Sequence, residues 1–352
     1  MLKLDEKKIR KGKPIGLPYQ GSKKKVAKKI VEIIKQNFGA DKVVYDVFGG
    51  GGAITAECLK TGLDVKYNDH CSFITAAFQK VISSDREWLK TLIISREEFL
   101  KIRAKQEKTL DDELKLLVNS FGNNRQSYLY GKAHADAKYN LAVEIIAKHN
   151  VFSGYKQTDT YRNAARPFHV GKPVKNQVLQ QLGQLGQLEQ LQQLEQLQQL
   201  EQLEQLERIE QLERIEQLER IEQLERLQQL GRLQQLGRLE QLGRLEVTNN
   251  DYRAFTDVEG AIIYLDPPYE NSDVDGYSDS KQFNHAEFYD WAAEMARENI
   301  VLLSSYTVSD DRFEEVFRFE TAGSTLSGGE GKGHCEKLFM VKGGHYDSHG
   351  SY

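Results

Sequence analysis

The chain has few of the residues and segments that mark several protein classes. Its three cysteines, Cys58, Cys71 and Cys335, have neither the spacing of metal ligands nor the even number of a disulfide framework. No stretch approaches the roughly 18 to 20 apolar residues that span a bilayer. The first residues, MLKLDEKKIRKGK, lack the apolar core of a signal peptide. We therefore expect a cytoplasmic protein without a bound metal.

Charge is distributed unevenly along the chain. The 352 residues are 28% charged and 39% hydrophobic, as in a globular protein with room for one large domain and insertions. The segment from Leu179 to Glu246 contains seven arginines, thirteen glutamates, no lysine and no aspartate, so its net charge is −6. The rest of the chain then carries +2 of a total of −4. The acidic total therefore does not exclude a polyanionic partner.

Helix and strand signals alternate in the N-terminal part. KKKVAKKIVEIIKQNF, which follows Ser22, predicts a helix capped by that serine. KVVYDVFGGGG predicts a buried strand from Val43 that enters a glycine turn, and residues 53–59 predict the start of the next helix. LDVKYND predicts a second strand. The apolar face of the first helix is formed by Val26, Ile30, Ile33 and Ile34.

The remaining ordinary sequence continues this alternation. Residues from about 75 to 175 predict polar helices around a turn-rich centre, SFGNNRQSYLYGK. EVTNNDYRAF predicts a strand and a loop, while AIIYLDPPY, NIVLLSSY and EKLFMVK predict three further strands. Strands that alternate with helices predict an α/β fold.

A three-residue repeat interrupts this pattern. From Leu179 to Leu245 every third residue is Leu or Ile, at 23 positions, and arginine recurs every six residues from Arg208 to Arg244. In an α-helix these apolar residues would spiral around every face, because each step of three drifts by about 60°. A tight solenoid would point all of them inward and place the glycines at corners. We therefore favour an elongated solenoid, with a long helix as the alternative.

A glycine-rich loop follows the first strand, in the sequence Asp46-Val47-Phe48-Gly49-Gly50-Gly51-Gly52. Glycines let the backbone turn sharply and approach a ligand, and a loop that enters a helix offers free N–H groups. Asp69 ends the second strand, where a carboxylate can bind the hydroxyls of a ribose. A tight turn and a surface acid are the plainer alternatives.

The strongest motif is Asp266-Pro267-Pro268-Tyr269, directly after a buried strand. The prolines fix the path of the chain and remove backbone donors. The Asp266 carboxylate and the Pro267 carbonyl are two acceptors suited to an exocyclic amine, and the Tyr269 ring can stack on a base flipped out of a duplex. Acceptors on both N–H bonds stabilise the charge that develops on the nitrogen during methyl transfer.

A third motif, Pro18-Tyr19-Gln20-Gly21-Ser22-Lys23, lies near the N-terminus. A lysine at the start of a helix is electrostatically unfavourable, which indicates an external anion. The carboxylate of an amino-acid cofactor would serve, and an ordinary surface lysine is the alternative.

These motifs in this order resemble the Dam-type adenine-N6 DNA methyltransferases (D12 class, alpha group), including those of phages and prophages. The family has Y-x-G-x-K, D-x-F-x-G-G, N-D, a target-recognition insertion and D-P-P-Y. The resemblance covers roughly residues 14 to 176 and 247 to 343. The matching positions are Tyr19, Gly21 and Lys23; Asp46, Phe48, Gly50 and Gly51; Asn68 and Asp69; and Asp266 to Tyr269.

The resemblance implies a Rossmann-like S-adenosylmethionine-dependent domain that methylates N6 of a flipped-out adenine in duplex DNA, by direct displacement and without a metal. Asp266, Pro267, Pro268 and Tyr269 are then the catalytic residues. The implied cofactor-binding residues are Tyr19, Lys23, Asp46, Phe48, Gly49, Gly50, Gly51, Asn68, Asp69 and Asp266.

The family places target recognition between the second strand and D-P-P-Y. We therefore divide the chain into an N-terminal methyltransferase part (1–79), a recognition insertion (80–175), the repeat (176–246) and a C-terminal methyltransferase part (247–352). Asn and Gln can read adenine, Arg can read guanine, and Lys meets phosphate. The DNA-binding candidates are Asn123, Asn124, Arg125, Gln126, Tyr128, Tyr130 and Lys132.

Other functions use the same features. The pocket could methylate cytosine N4, an RNA adenine or a protein amide, although Asp before Pro-Pro-Tyr favours adenine. A non-enzymatic protein that binds DNA or a partner and assembles through the repeat is a further alternative, as is self-association through residues 179–245.

We expect the enzyme in the cytoplasm of a bacterium or a phage-infected host. Because the recognised motifs lie outside it, we expect excision of six-residue units between Gln187 and Leu236 to leave methyl transfer unchanged.

Overall fold

The computed structural model describes residues 1–18, 22–129, 131–132, 135–165, 227, 229–237, 245–270, 283–319 and 335–344. Tyr19, Gly21, Tyr130 and most of the three-residue repeat lie outside these residues, so the predictions made for them stay predictions.

A seven-stranded sheet carries the fold, in the order β3-β2-β1-β4-β5-β7-β6. β1 to β5 run parallel, and β7 runs antiparallel to both β5 and β6. This mixed α/β architecture confirms the α/β part of the predicted fold class and is consistent with a Rossmann-like domain. The strands are β1 Val44–Asp46, β2 Val65–Asn68, β3 Leu245–Thr248, β4 Ile262–Leu265, β5 Ile300–Ser305, β6 Phe313–Arg318 and β7 Lys337–Val341.

Helices connect the strands. The α-helices are α1 Ala27–Phe38, α2 Ala53–Lys60, α3 Ser72–Ser83, α4 Arg86–Thr91, α5 Arg96–Arg103, α6 Leu110–Val118, α7 Ala135–His149, α8 Asp159–Ala165 and α9 His285–Met295. Short 3₁₀ helices span Glu6–Lys8, Lys23–Lys25, Phe121–Asn123, Tyr155–Gln157 and Tyr252–Phe255.

The chain divides into two compact units. The first contains Met1–Leu89, Lys108–Leu114 and Arg232–Tyr352, and includes the whole sheet. The second contains Lys90–Glu107 and Lys115–Gly231. The domain boundaries given above from the family resemblance stay predictions.

The first helix begins later than the sequence suggested. A 3₁₀ turn at Lys23–Lys25 precedes α1, and the Ser22 side chain makes no capping hydrogen bond. The predicted capping by Ser22 is therefore wrong, because the α-helical hydrogen bonds start only at Ala27. The apolar face is confirmed, since its four members, Val26, Ile30, Ile33 and Ile34, are all buried.

One described part of the three-residue repeat is helical. Residues 229–237, which we call the repeat helix, are α-helical, so the predicted solenoid is wrong for this described part. The physical reason is its short length. Around the helix axis, the side-chain direction rotates by about 60° with each step of three residues. It therefore rotates by about 180° between Leu227 and Leu236, and the leucines cover only half of the circumference. All four are at most 3% exposed, which a short helix packed into the protein allows.

Candidate active site

Two carboxylates at the ends of β1 and β2 hold the glycine loop. Asp69 Oδ2 accepts a hydrogen bond from Gly50 N at 2.8 Å, and its Oδ1 accepts one from Cys71 N at 2.8 Å. Asp46 Oδ2 accepts from Thr55 N at 3.1 Å and from Thr55 Oγ1 at 2.6 Å. The structure thus brings the predicted Asp46, Gly50 and Asp69 together at the carboxyl end of the sheet.

These carboxylates are buried, which changes their titration. Burial raises the pKa of Asp46 to about 7, although the hydrogen bonds from Thr55 lower it. Burial also raises the pKa of Asp69, against the lowering effect of the bonds from Cys71 and Gly50. The negative charges of Asp266 and Asp69 raise the pKa of Asp46 further. Such a site favours a ligand that brings positive charge.

Two glycines of the loop leave no room for a side chain. A Cβ on Gly49 would overlap the Tyr67 ring, and a Cβ on Gly52, at φ +70°, would overlap the Phe78 ring. These two rings stack on each other at 4.2 Å, and the Tyr67 hydroxyl donates to Gly50 O at 2.8 Å. The aromatic pair therefore sets the path of the loop.

We predict that Gly49→Ala destabilises the protein by about 1–3 kcal/mol, because the new methyl group must displace the stacked Tyr67 ring. Urea unfolding followed by circular dichroism measures this loss. Gly131→Ala is the matched control, since nothing lies within 4 Å of the added Cβ. Equal midpoints for Gly49→Ala and wild type would contradict the close packing.

Asn68, one of the predicted cofactor-binding residues, makes hydrogen bonds within the protein. Asn68 is 2% exposed, and its Nδ2 donates to Val47 O at 3.0 Å and Asn250 O at 2.9 Å. Its Oδ1 accepts from Thr248 Oγ1 and Asn250 N, each at 2.8 Å. Asn68 therefore joins the ends of β1, β2 and β3. Its contact with a cofactor stays a prediction.

Phe48 lies in an aromatic cluster. Its ring centroid is 5.7 Å from that of Phe288, 6.0 Å from Phe283 and 6.1 Å from Tyr252. This cluster fixes the first half of the glycine loop against α9 and the segment after β3. Phe48 is half-buried, and its contact with a cofactor stays a prediction.

Lys23 meets the D-P-P-Y motif directly. Its Nζ lies 2.6 Å from Asp266 Oδ1 and donates to Tyr269 Oη at 2.5 Å. The ammonium is also 3.8 Å from Glu336 Oε2 and 4.8 Å from the centre of the Tyr269 ring. The anion that the sequence suggested for this lysine is thus present inside the protein, because the chain places Lys23 beside Asp266. Binding of a cofactor carboxylate by Lys23 stays a prediction.

Other contacts fix the rest of the motif. His285, the first residue of α9, places Nε2 2.9 Å from Pro268 O. Glu270 Oε1 accepts from the Tyr289 hydroxyl at 3.0 Å and from Ser309 Oγ at 2.6 Å. Among the described residues, no group bonds the Pro267 carbonyl. The motif is therefore held at nearly every position while one of its two proposed acceptors remains available.

Sequence reasoning missed three residues of this site. Glu336 Oε1 accepts from Tyr269 Oη at 2.7 Å and from Ser304 Oγ at 2.6 Å. Tyr306 packs its ring edge against Tyr269 with centroids 4.7 Å apart. In the sequence Glu336 is a single acid before an apolar strand, and Ser304 and Tyr306 end another strand, so nothing in the pattern links them.

The charges of the site act on one another. Burial raises the pKa of Asp266 to about 6, Lys23 lowers it, and the charge of Glu336 raises it. Burial lowers the pKa of Lys23, but the charges of Asp266 and Glu336 outweigh burial and raise it above its ordinary value. One cation is therefore shared by two carboxylates, and the cluster is negative when both are ionised.

The predicted recognition loop lies in the second unit. Asn124 Oδ1 accepts from Gln126 N at 2.8 Å and Ser127 N at 3.0 Å, and Arg125 N donates to Ser120 Oγ at 2.9 Å. Asn123 and Arg125 have positive φ values of 58° and 59°. Asn124, Gln126 and Lys132 are exposed.

Tyr128 differs from the other residues of this loop. Its hydroxyl donates to Ile94 O at 2.9 Å and its ring packs edge-on against Phe99 at 5.3 Å. The side chain thus stabilises the base of the loop. Direct contact between Tyr128 and DNA stays a prediction.

Within the described ranges, no three His, Cys, Asp or Glu side chains lie close enough to hold a metal ion. The helices described also contain none with the length and apolar character needed to cross a bilayer.

Comparison with known protein families gives a match over the N-terminal part of the chain. Residues 19–181 match the family described as D12 class N6 adenine-specific DNA methyltransferase. This span includes Lys23, the glycine loop and Asp69, covers slightly less than half of the chain, and ends at the start of the repeat. No curated protein matches the chain.

Proposed function

We propose, from the premise that residues 19–181 are a D12 class N6 adenine-specific DNA methyltransferase domain, that D-P-P-Y completes the active site of this DNA adenine-N6 methyltransferase. The family implies S-adenosylmethionine-dependent DNA methylation. The D-P-P-Y motif lies outside the matched residues, so its role is argued here from its geometry. The observation that carries the proposal is the contact of Lys23, inside the match, with Asp266 and Tyr269, outside it.

In this proposal, Asp266 and Pro267 hold the target amine. Asp266 Oδ1 is bonded to Lys23, and its side chain keeps 16% exposure for a further contact. A carboxylate oxygen and the Pro267 carbonyl would accept the two N6 hydrogens of adenine. These bonds strengthen as the nitrogen becomes positive, so they lower the barrier to methyl transfer.

In this proposal, Tyr269 stacks on the adenine after the base leaves the duplex. Its hydroxyl is fixed by Lys23 and Glu336, and its ring is supported at the edge by Tyr306. A fixed aromatic face binds an unstacked base with little loss of rotamer freedom.

The residues around the glycine loop fit S-adenosylmethionine. The four consecutive glycines from Gly49 to Gly52 place no side chain between the loop backbone and a ligand, and Asp69, directly after β2, bonds Gly50 of this loop. Lys23, Asp46, Gly50 and Asp69 are the residues we expect to hold the cofactor. When bound, the cofactor supplies an electrophilic methyl group. Because two carboxylates share one lysine, the site favours a positively charged ligand.

DNA is the partner that the family implies. We propose that Asn123, Asn124, Arg125, Gln126 and Lys132 contact it from the loop after α6. We also propose that the catalytic step requires no metal, and that any self-association uses the three-residue repeat.

The proposed function is tested with purified protein, S-adenosylmethionine and unmethylated duplex DNA of mixed sequence. Nuclease digestion followed by mass spectrometry separates N6-methyladenine from N4-methylcytosine, and single-stranded RNA serves as the competing substrate. We expect N6-methyladenine in DNA alone. Detection of N4-methylcytosine as the only product, or of methylation in RNA alone, would contradict the proposed function.

We predict that kcat/KM falls as the pH drops through about 6, because methyl transfer needs ionised Asp266 as acceptor. The pKa of this carboxyl is raised, so the active form dominates above pH 6 and is lost below it. Rates measured from about pH 5 to pH 8 in buffers of constant ionic strength test this. A flat profile down to about pH 4.5 would show that Asp266 ionises at its ordinary pKa or is not required.

A further inference from the structure

Beside Asp266, the site contains a second buried carboxylate, Glu336, which bonds the Tyr269 hydroxyl. Glu336 is 4% exposed and directly precedes β7. Its Oε1 accepts from Tyr269 Oη at 2.7 Å and from Ser304 Oγ at 2.6 Å, while Oε2 lies 3.8 Å from Lys23 Nζ. A buried carboxylate with this many oriented donors costs much desolvation and is fixed in one position.

We propose that Glu336 is a positioning residue for methyl transfer: it holds the Tyr269 hydroxyl and the Lys23 ammonium so that the tyrosine ring keeps the orientation that receives the target base. This inference rests on the proposed function and extends it to a residue outside D-P-P-Y. Glu336 touches neither proposed acceptor atom and acts only through Tyr269 and Lys23.

The supporting geometry is a continuous chain of hydrogen bonds. Lys23 donates to both Asp266 and Tyr269, Tyr269 donates to Glu336, and Ser304 donates to the same oxygen of Glu336. Ser304 is fully buried on β5, whose neighbour in the sheet is β7. The Tyr269 hydroxyl therefore has one anchor on the N-terminal segment and another directly before the last strand, and the side chain cannot swing to a new position without breaking these bonds.

Three variants test the positioning role. Glu336→Ala removes the anchor, Glu336→Gln keeps an oxygen acceptor without the charge, and Glu315→Gln is the control on β6, where Glu315 pairs with Arg318 and Lys337 rather than with Lys23 or Tyr269. Methyl transfer is measured in single turnovers at saturating cofactor and DNA. We expect Glu336→Ala to be slower by about tenfold or more, Glu336→Gln within about threefold at its optimal pH, and the control unchanged.

The pH profile separates positioning from a general loss of structure. Removing the Glu336 charge should lower the pKa of Asp266, so the acid limb of the rate profile moves to lower pH in both Glu336 variants. The charged and titratable groups that face Asp266 and Glu336 are Lys23, Asp46, Tyr264, Tyr269 and Tyr306. None of these is changed in the variants, so a shift reports the Glu336 charge.

The outcomes distinguish this inference from the proposed function. Wild-type protein that methylates no DNA adenine refutes the proposed function. Active wild type with Glu336→Ala within twofold of it, or Glu336→Gln as slow as Glu336→Ala, refutes positioning by Glu336 alone. If the acid limb of the pH–rate profile of Glu336→Gln stays at the wild-type pH, positioning by Glu336 is also refuted. If Glu336→Ala does not fold, the rate and acid limb of Glu336→Gln decide the question.

Discussion

Asp266→Asn should lower the rate of methyl transfer by about a hundredfold or more while the protein still folds. The amide keeps the shape of the side chain but loses the charge that accepts the amine and pairs with Lys23 at 2.6 Å. Because the lost contact strengthens as positive charge develops, the effect should appear in single-turnover rates.

Cofactor affinity and thermal unfolding serve as checks on this variant. Asp257→Asn, on an exposed turn before β4, is the matched control and should behave as wild type. A single-turnover rate of Asp266→Asn within threefold of wild type would show that the carboxylate is not the acceptor.

Deleting residues 227–237 should prevent folding of the protein, whereas excising six-residue units between Gln187 and Arg226 should leave methyl transfer unchanged. Leu227, Leu230, Leu233 and Leu236 are buried, so we do not expect the units that contain them to be dispensable. The C-terminal boundary of the dispensable units therefore lies before Leu227 instead of at Leu236. Gln234 also accepts from Arg86 at 2.5 Å, and a Cβ on Gly237 would lie 3.3 Å from the carbonyls of Val81 and Ile82.

Point variants refine this test. Leu233→Ala, which truncates a side chain 1% exposed, should cost about 2–5 kcal/mol of stability. A shortened protein that loses activity while its melting temperature is preserved would show that the upstream repeat contributes to DNA binding, and the salt dependence of binding then measures that contribution.

The sequence predicts the parts of this protein that depend on short, regular patterns. Val44–Asp46, Val65–Asn68 and Ile262–Leu265 are buried strands followed by glycines, an acid or prolines, and all three appear where the apolar runs place them. The motifs at their ends meet because parallel strands end at one edge of the sheet. β6 and α9 were not predicted. In β6, FEEVFR has a mixed pattern of burial without strict alternation.

The rest of the site could not be predicted because it depends on contacts between distant segments. Lys23 and Asp266 are 243 residues apart, and Glu336 reaches Tyr269 across 67 residues. The helical part of the repeat, residues 229–237, was predicted wrongly for a related reason. A period of three is unfavourable for a long solvated helix, but the few leucines of a short helix can all be buried by its neighbours.

The strand order has a consequence for synthesis on the ribosome. β1 pairs with β2, which follows it closely in the sequence. The other neighbour of β1 is β4, which begins at Ile262, and the other neighbour of β2 is β3, which begins at Leu245. Both are therefore synthesised long after β1 and β2. At about 5–20 residues per second, translation of the chain between β2 and β3 takes roughly 10–35 s. During that time both outer edges of the β1–β2 pair are unpaired, and such edges template aggregation. Nascent chains should therefore depend on chaperones in proportion to the length of the three-residue repeat.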